Sequence, residues 1–208
     1  MLPNERDARA RSYYHKDNMR RGFKAEAERT SLAARHNLGL HPIAKLCPWA
    51  YAESLRVMVF EASELDLEPH DAAQLLEKDV DSWSGMTLFE ENVHVVVLNS
   101  AHQRPRRTAT LMHELAHIIL AHVPADVDVS PSGLVLLSDY SAEQEEEADW
   151  LGAVLLLPEA ALLLHRGEGK SVGEIAQLYG VSEELCTWRC RMTGVEKRMA
   201  FRGRQARR

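Results

Sequence analysis

The segment Thr108–His122 places the strongest constraint on the fold, because apolar residues and histidines both recur in it at helical intervals. Leu111, Leu115, Ile118 and Ile119 have the spacing of one helix face. Such a pattern is typical of a helix with one face in a hydrophobic core. The segment therefore predicts a core-packed helix that also presents histidine side chains.

Within this helix, His113 and His117 are the ends of an H-E-x-x-H motif. Positions i and i+4 share a helix face, so the two imidazoles can bind one zinc ion. Glu114 then lies beside the open coordination position as a general base for a metal-bound water. The structural alternative would require two histidines and a glutamate exposed on an otherwise strongly apolar helix.

A catalytic zinc usually takes three protein ligands, and the next predicted helix is rich in acids. It begins near Ser141, a good N-cap, and runs to Leu156. Glu145 and Asp149 point the same way, which favours Glu145 as the third ligand and Asp149 as the group that orients a liganding histidine. Glu147 is the next choice for the ligand, because the sequence does not fix the register to one residue. Acids that do not ligate are interpreted as a solvated helix start.

These motifs resemble the ImmA/IrrE metallopeptidases, which are related in active-site design to gluzincins. The similarity includes the segments VHVVVLNS, AHQRPRRTATLMHELAHIILAH and EEEADWLGAVLLLP. The C-terminal IAQLYGVSEELCTWRCRMTG is similar to a small helical module that often follows in this family. Leu151 and Gly152 stand where the family usually has phenylalanine and alanine, which we interpret as a modest packing change.

The resemblance implies an α+β zincin-like fold with a small sheet packed on the active-site helix, and Zn2+ as the cofactor. It also implies an endopeptidase that cleaves a helix-turn-helix transcriptional repressor and so relieves repression in a phage, mobile element or stress response. Val93–Leu98 should lie near the active-site helix, where an edge strand could bind an extended peptide. Tyr140 is a candidate for stabilising the tetrahedral intermediate, although the sequence singles out no residue for this role.

Three regions are predicted along the chain: a mobile arm over residues 1–21, a metallopeptidase domain over residues 22–166, and a helical module with a basic tail over residues 167–208. The module contains two helices, Ser171–Tyr179 and Ser182–Arg191, at helix-turn-helix spacing. Further helices are predicted at 23–36, 48–55, 71–78 and 158–165, and strands at 56–60, 86–89 and 93–98. The last two strands form a predicted hairpin, and residues 123–138 a long functional loop.

The composition of 45% hydrophobic and 27% charged residues is typical of a globular protein. A formal net charge of -6 argues against a surface that tracks nucleic acid throughout. The basic segment Trp188–Arg208 is interpreted mainly as a solvated tail, with nucleic-acid contact as the minority alternative. The three cysteines form no even framework, and there is neither an apolar signal region nor a membrane-length apolar run. We therefore expect a cytoplasmic protein without a membrane partner.

Several cysteines and histidines receive structural interpretations first. Cys186 and Cys190 are interpreted as small buried residues rather than a metal site. His122 lies off the helical face of His117 and is predicted to be structural or a substrate-side contact. His94, His102 and His165 have no partner spacing.

Two other functions remain open from the sequence. The first is a zinc-containing regulator that binds a repressor or DNA without hydrolysis, for which an intact Glu114 would have no use. The second is metal-assisted hydrolysis of a small molecule, which a closed pocket would favour. The sequence does not determine the oligomeric state.

Overall fold

The computed structural model describes residues 19–66, 68–124, 126–129 and 135–199. Most of the predicted N-terminal arm and the end of the basic tail lie outside these residues. The helices are α1 (Phe23–Asn37), α2 (Pro48–Ser54), α3 (Pro69–Ala73), α4 (Arg104–Ile119), α5 (Ala142–Leu156), α6 (Glu159–Gly167), α7 (Val172–Tyr179) and α8 (Glu183–Thr193). The strands are β1 (Met58–Glu61), β2 (Gly85–Glu90), β3 (Val93–Leu98), β4 (Asp126–Val129) and β5 (Val135–Ser138).

Two short segments complete the regular structure of the described chain. A 3-10 turn, Ala62–Glu64, follows β1, and a π-helical segment, Gln74–Lys78, continues α3. The helix predicted at 71–78 is therefore divided between an α-helical and a π-helical part. The other predicted helices and strands are present with ends shifted by a few residues.

Within the described residues the sheet has five strands in the order β1-β3-β2-β5-β4. The predicted hairpin is confirmed: β2 and β3 pair antiparallel across a turn in which Glu91 and Asn92 have φ of 47° and 67°. Positive φ at both positions is the conformation of a type I′ turn, which matches the twist of the flanking strands. β1 pairs parallel with β3, which leaves β3 buried inside the sheet.

Two sequence expectations about this sheet are wrong. The segment 123–138 contains the strands β4 and β5, and β5 pairs antiparallel with β2. Pro131 and Gly133 stand between these four-residue strands in the sequence, and such turn-forming residues favoured the prediction of a loop. The strand Val93–Leu98 is internal rather than an edge; among the described strands, β1 and β4 form the edges.

The helices α4 and α5 pack closely where both carry motif residues. A Cβ atom on Gly152 of α5 would lie 3.2 Å from the carbonyl oxygen of Met112 and 3.3 Å from the amide nitrogen of His113. Glycine thus lets the backbone of α5 approach α4 beside the motif. Arg35 of α1, fully buried, donates hydrogen bonds to the carbonyl oxygens of Leu155 and Ala44 and so ties α1 to the end of α5.

The helices α7 and α8 share the same hydrophobic core. Ile175, Leu185, Cys186 and Cys190 all belong to it, and the two cysteines are buried as predicted. Arg189 of α8, fully buried, donates to the carbonyl oxygen of Leu157 and forms a 2.7 Å ion pair with Glu28 of α1. These contacts anchor the helix pair to α1 and to the end of α5. The domain boundary between residues 166 and 167 stays a prediction.

Among the described residues, no single helix is long and apolar enough to cross a membrane. The helices α5 and α6 together have the length and composition of a membrane span, but they are bent by 45° where they meet.

The buried face of α5 provides a test of the core. Leu151 has 0% exposure, so Leu151→Ala should lower the free energy of unfolding by about 2–5 kcal/mol through lost burial and a residual cavity. Leu178→Ala is the matched control, because Leu178 is 49% exposed on α7. Urea denaturation measures both values; equal stability of the two variants would contradict this packing.

Candidate metal centre

The two motif histidines face each other on α4. Met112, Leu115 and Ala116 are fully buried and hold one side of the helix in the core. His113 and His117 lie one turn apart on the adjacent face of the helix, with their Nε2 atoms 3.0 Å apart. The convergence of two ring nitrogens follows from the i, i+4 spacing.

Glu145 approaches this pair from α5. That helix begins with a capping box in which the Ser141 hydroxyl accepts from the Gln144 amide, so the acidic turn has a fixed position. One carboxylate oxygen of Glu145 lies 3.3 Å from Nε2 of His113, and the other lies 3.6 Å from Nε2 of His117.

The three side chains fit a metal ion. One ligand atom from each of His113, His117 and Glu145 lies within 4.8 Å of the others, so a single cation can contact all three. Two imidazole nitrogens and one carboxylate, with a further position open, form a donor set that suits catalytic zinc. Glu147, the alternative ligand, does not join this group among the described residues: its carboxylate is directed to Arg20 and His122.

Asp149 contacts Nδ1 of His113, the ring nitrogen that does not face His117. Its Oδ1 lies 2.9 Å from Nδ1 of His113, so the ring nitrogen can donate to the carboxylate. This contact leaves Nε2 of the same ring directed at the candidate metal position. A carboxylate behind a liganding histidine fixes the tautomer and the ring orientation.

Asp149→Ala should weaken metal affinity by about 10–100-fold, because His113 would lose the group that orients its ring. Competition with a chromophoric chelator measures the change. Asp139→Asn is the control, since it removes an exposed carboxylate just before α5. Equal affinity of the Asp149→Ala variant and the native protein would contradict the orienting role.

Burial and neighbouring charges shift the pKa values of the two histidines in opposite directions. Burial lowers the pKa of His113, but hydrogen bonds to Asp149 and Glu145 outweigh burial and raise it to about 10. Burial and the neighbouring His113 cation lower the pKa of His117 to about 2. A protonated His113 can therefore donate from Nε2 to a neutral His117, and a metal ion must replace that proton.

The carboxylate of Glu114 is fixed from the sheet. The hydroxyl of Thr87, fully buried on β2, donates a 2.6 Å hydrogen bond to Oε2 of Glu114. Thr87 lies far from the motif in sequence, and no local pattern signals this contact. The hydrogen bond limits the orientations that the Glu114 side chain can adopt.

Tyr140 forms one wall of the site. Its ring stacks on His117 with a centroid distance of 3.8 Å and an interplanar angle of 24°. Burial, together with the charges of Glu114 and Glu145, raises the pKa of Tyr140 to about 12. The phenol therefore stays protonated at neutral pH and can donate a hydrogen bond.

Of the four other histidines that the sequence analysis discussed, one contacts the site and three do not. Nδ1 of His122 lies 3.0 Å from Nδ1 of His117, a contact that the helical spacing did not predict. His94 contacts the ring of Phe89, and His102 lies within hydrogen-bond distance of the Val80 carbonyl. The last of them, His165, bonds with Glu168 and Tyr179.

Comparison with protein families places this geometry in context. A peptidase family model described as the IrrE N-terminal-like domain matches residues 73–191, which is more than half of the chain. The chain belongs to this family. The matched residues 73–191 contain α4, α5 and all the metal-site residues described above. Membership implies a metallopeptidase-like or regulatory role for the IrrE-like domain and agrees with the resemblance found in the sequence.

A solved structure shares the fold. It is a "Mycobacterium tuberculosis transcriptional regulator", with a TM-score of 0.52 and 15% sequence identity. The alignment covers 86% of this chain and 48% of that one, so the chain spans about half the length of the regulator. At this identity the similarity concerns the fold alone. A search of curated proteins found no match.

Proposed function

We propose that this protein is a zinc-dependent endopeptidase that cleaves a helix-turn-helix transcriptional repressor and thereby relieves repression. The observation that carries the proposal is the convergence of His113, His117 and Glu145, with the Glu114 side chain fixed beside them. Membership in a peptidase family supports the reaction class. The repressor as substrate rests on the ImmA/IrrE resemblance.

The metal would be held by His113, His117 and Glu145. When bound, zinc supplies Lewis acidity and makes a water molecule nucleophilic near neutral pH. Glu114 accepts a proton from the attacking water as the water oxygen bonds to the peptide carbonyl carbon. Because Thr87 donates to Oε2, we assign this proton to Oε1. Glu114 then returns the proton to the departing amine as the C–N bond breaks.

Tyr140 and Asp149 complete the proposed chemistry. The protonated Tyr140 phenol is a candidate donor to the oxyanion of the tetrahedral intermediate. The Asp149 carboxylate accepts a hydrogen bond from Nδ1 of His113, so the proton stays on Nδ1 and Nε2 is available to the metal. Both residues therefore act through charge and orientation, without a covalent bond to the substrate.

Membership in a peptidase family favours a polypeptide over a small molecule as the substrate. A pocket of about 70 Å³ that His113 and Asp149 line is bordered by Gly152, Ala153 and Leu185, and neither His117 nor Glu145 lines it. This pocket is therefore distinct from the candidate metal position.

Metal removal tests the proposal. The 208-residue chain is incubated with candidate helix-turn-helix repressors from the same organism, and fragments are followed by gel electrophoresis. Cleavage should stop after treatment with a chelator and return when one equivalent of zinc is added. Cleavage that continues at full rate in metal-free protein would contradict a zinc-dependent mechanism.

The alternative is a zinc-containing regulatory protein that binds a repressor or DNA without hydrolysis. The paired helices α7 and α8 favour it, because they meet at a tight turn where Gly180 has a φ of 70°. In the same incubation, this alternative predicts an intact repressor held in a stable complex. Glu114→Gln would then leave the affinity of that complex unchanged.

A further inference from the structure

A chain of side chains leads from His117 to the N-terminal region. Nδ1 of His117 lies 3.0 Å from Nδ1 of His122, and Nε2 of His122 lies 3.5 Å from Oε2 of Glu147. The same carboxylate oxygen accepts a 2.9 Å bond from the Arg20 guanidinium. The backbone amide of Arg20 lies 3.4 Å from Oε1 of Glu147. Arg20 thus binds the carboxylate through both its main chain and its side chain.

The end of α4 brings His122 back over His117. Ala121 has a φ of 51°, in the left-handed region that usually takes glycine at a helix C-terminus. The amide of His122 donates to the carbonyl of His117, and the amide of Ala121 donates to that of Ile118. This is the bonding pattern of a Schellman motif. The backbone therefore fixes His122 next to a proposed ligand.

Burial makes these contacts costly to lose. The side chains of His122 and Glu147 are 7% and 5% exposed. A carboxylate with so little access to water requires ionic or hydrogen-bonding partners. His122 and Arg20 supply them, and Arg20 is itself 44% exposed, so the chain of contacts ends at the protein surface.

One assignment of protons satisfies every ring nitrogen. If Nε2 of His117 binds the metal, its Nδ1 carries a proton and donates to Nδ1 of His122. The neutral His122 then carries its own proton at Nε2, which faces the Glu147 carboxylate.

We propose that His122, supported by Glu147 and Arg20, is a positioning residue that fixes the ring of His117 for metal binding. The inference rests on the proposed metal site. It gives His117 a support equivalent to the one that Asp149 gives His113. It also assigns Arg20, which lies before the matched family region of residues 73–191, to the metal centre.

Zinc affinity of the full-length protein tests the inference without measuring catalysis. His122→Ala should weaken binding by about 10–100-fold, as is usual for residues behind a metal ligand. His122→Asn keeps an acceptor near the position of Nδ1 and should recover part of the loss. Arg20→Gln should give a loss smaller than that of His122→Ala, and Arg21→Gln, at an exposed neighbouring position, serves as its control.

The outcomes separate this inference from the proposed function. Graded losses for the His122 and Arg20 variants, with native melting temperatures and an unchanged Arg21 variant, would support positioning. Native affinity in both His122→Ala and Arg20→Gln would overturn the inference while leaving the zinc site intact. Failure of the native protein to bind zinc would overturn both the inference and the proposed function.

Discussion

Replacing Glu114 by glutamine should lower the rate of repressor cleavage by about 10²–10⁴-fold, the usual contribution of a general base. Glutamine keeps the size of the side chain and can still accept the 2.6 Å hydrogen bond from Thr87. It cannot take a proton from water at neutral pH. Because Glu114 is not one of the proposed ligands, the variant should retain one zinc ion.

The rate is measured as initial cleavage velocity at equal zinc loading of the native and variant proteins. Glu184→Gln is the control, since it removes an exposed carboxylate of α8 outside the site. We expect the control to cleave at the native rate. Cleavage by the Glu114 variant within a factor of about two of native would exclude general-base catalysis by this residue.

Replacing His117 by alanine should remove stoichiometric zinc binding, and cleavage with it. His117 supplies one of three proposed ligand atoms and is 2% exposed, so water does not readily replace it. We expect affinity to fall by more than about 100-fold, beyond the loss caused by changes behind a ligand. Inductively coupled plasma mass spectrometry of the purified variant gives the metal content, and chelator competition gives the affinity.

The control for this variant is His36→Ala, because His36 is exposed on α1. It should bind one zinc ion with native affinity. A His117→Ala protein that retains one tightly bound zinc ion would place the metal elsewhere in the chain and contradict the proposed ligand set.

The local pattern was sufficient to predict the two helices of the metal centre. Apolar spacing and the H-E-x-x-H motif indicate α4, and Ser141 as an N-cap residue indicates the start of α5. Spacing alone also predicts that His113 and His117 share a face. The structure adds the distances at which Glu145 and Asp149 meet them.

The sequence did not predict the contacts between residues that are far apart in the chain. Glu147 is directed to Arg20, 127 residues earlier in the chain, and this partner distinguishes its environment from that of Glu145. Thr87 reaches Glu114 because the sheet packs on α4, and a residue's position in that sheet depends on strand pairing. Tertiary packing decides both cases, and no spacing rule within one helix encodes it.

The errors in the predicted elements have related causes. The helix predicted to reach His122 ends at Ile119, because Ala121 adopts a left-handed conformation that no glycine signals. The strands β4 and β5 were missed because four residues carry little periodicity, and pairing with β2 stabilises them. β3 lies inside the sheet because β1 pairs with it on the side away from β2, and the sequence does not give the order of the strands.

Mass spectrometry of the repressor after incubation with the zinc-loaded protein is the most direct test of the central claim. Hydrolysis predicts two complementary fragments whose masses sum to that of the repressor plus one water molecule, and it predicts their loss with Glu114→Gln. An intact repressor, recovered in a stable complex with the native protein and equally with the Glu114→Gln variant, would contradict the peptidase account. It would favour a regulator that acts by binding.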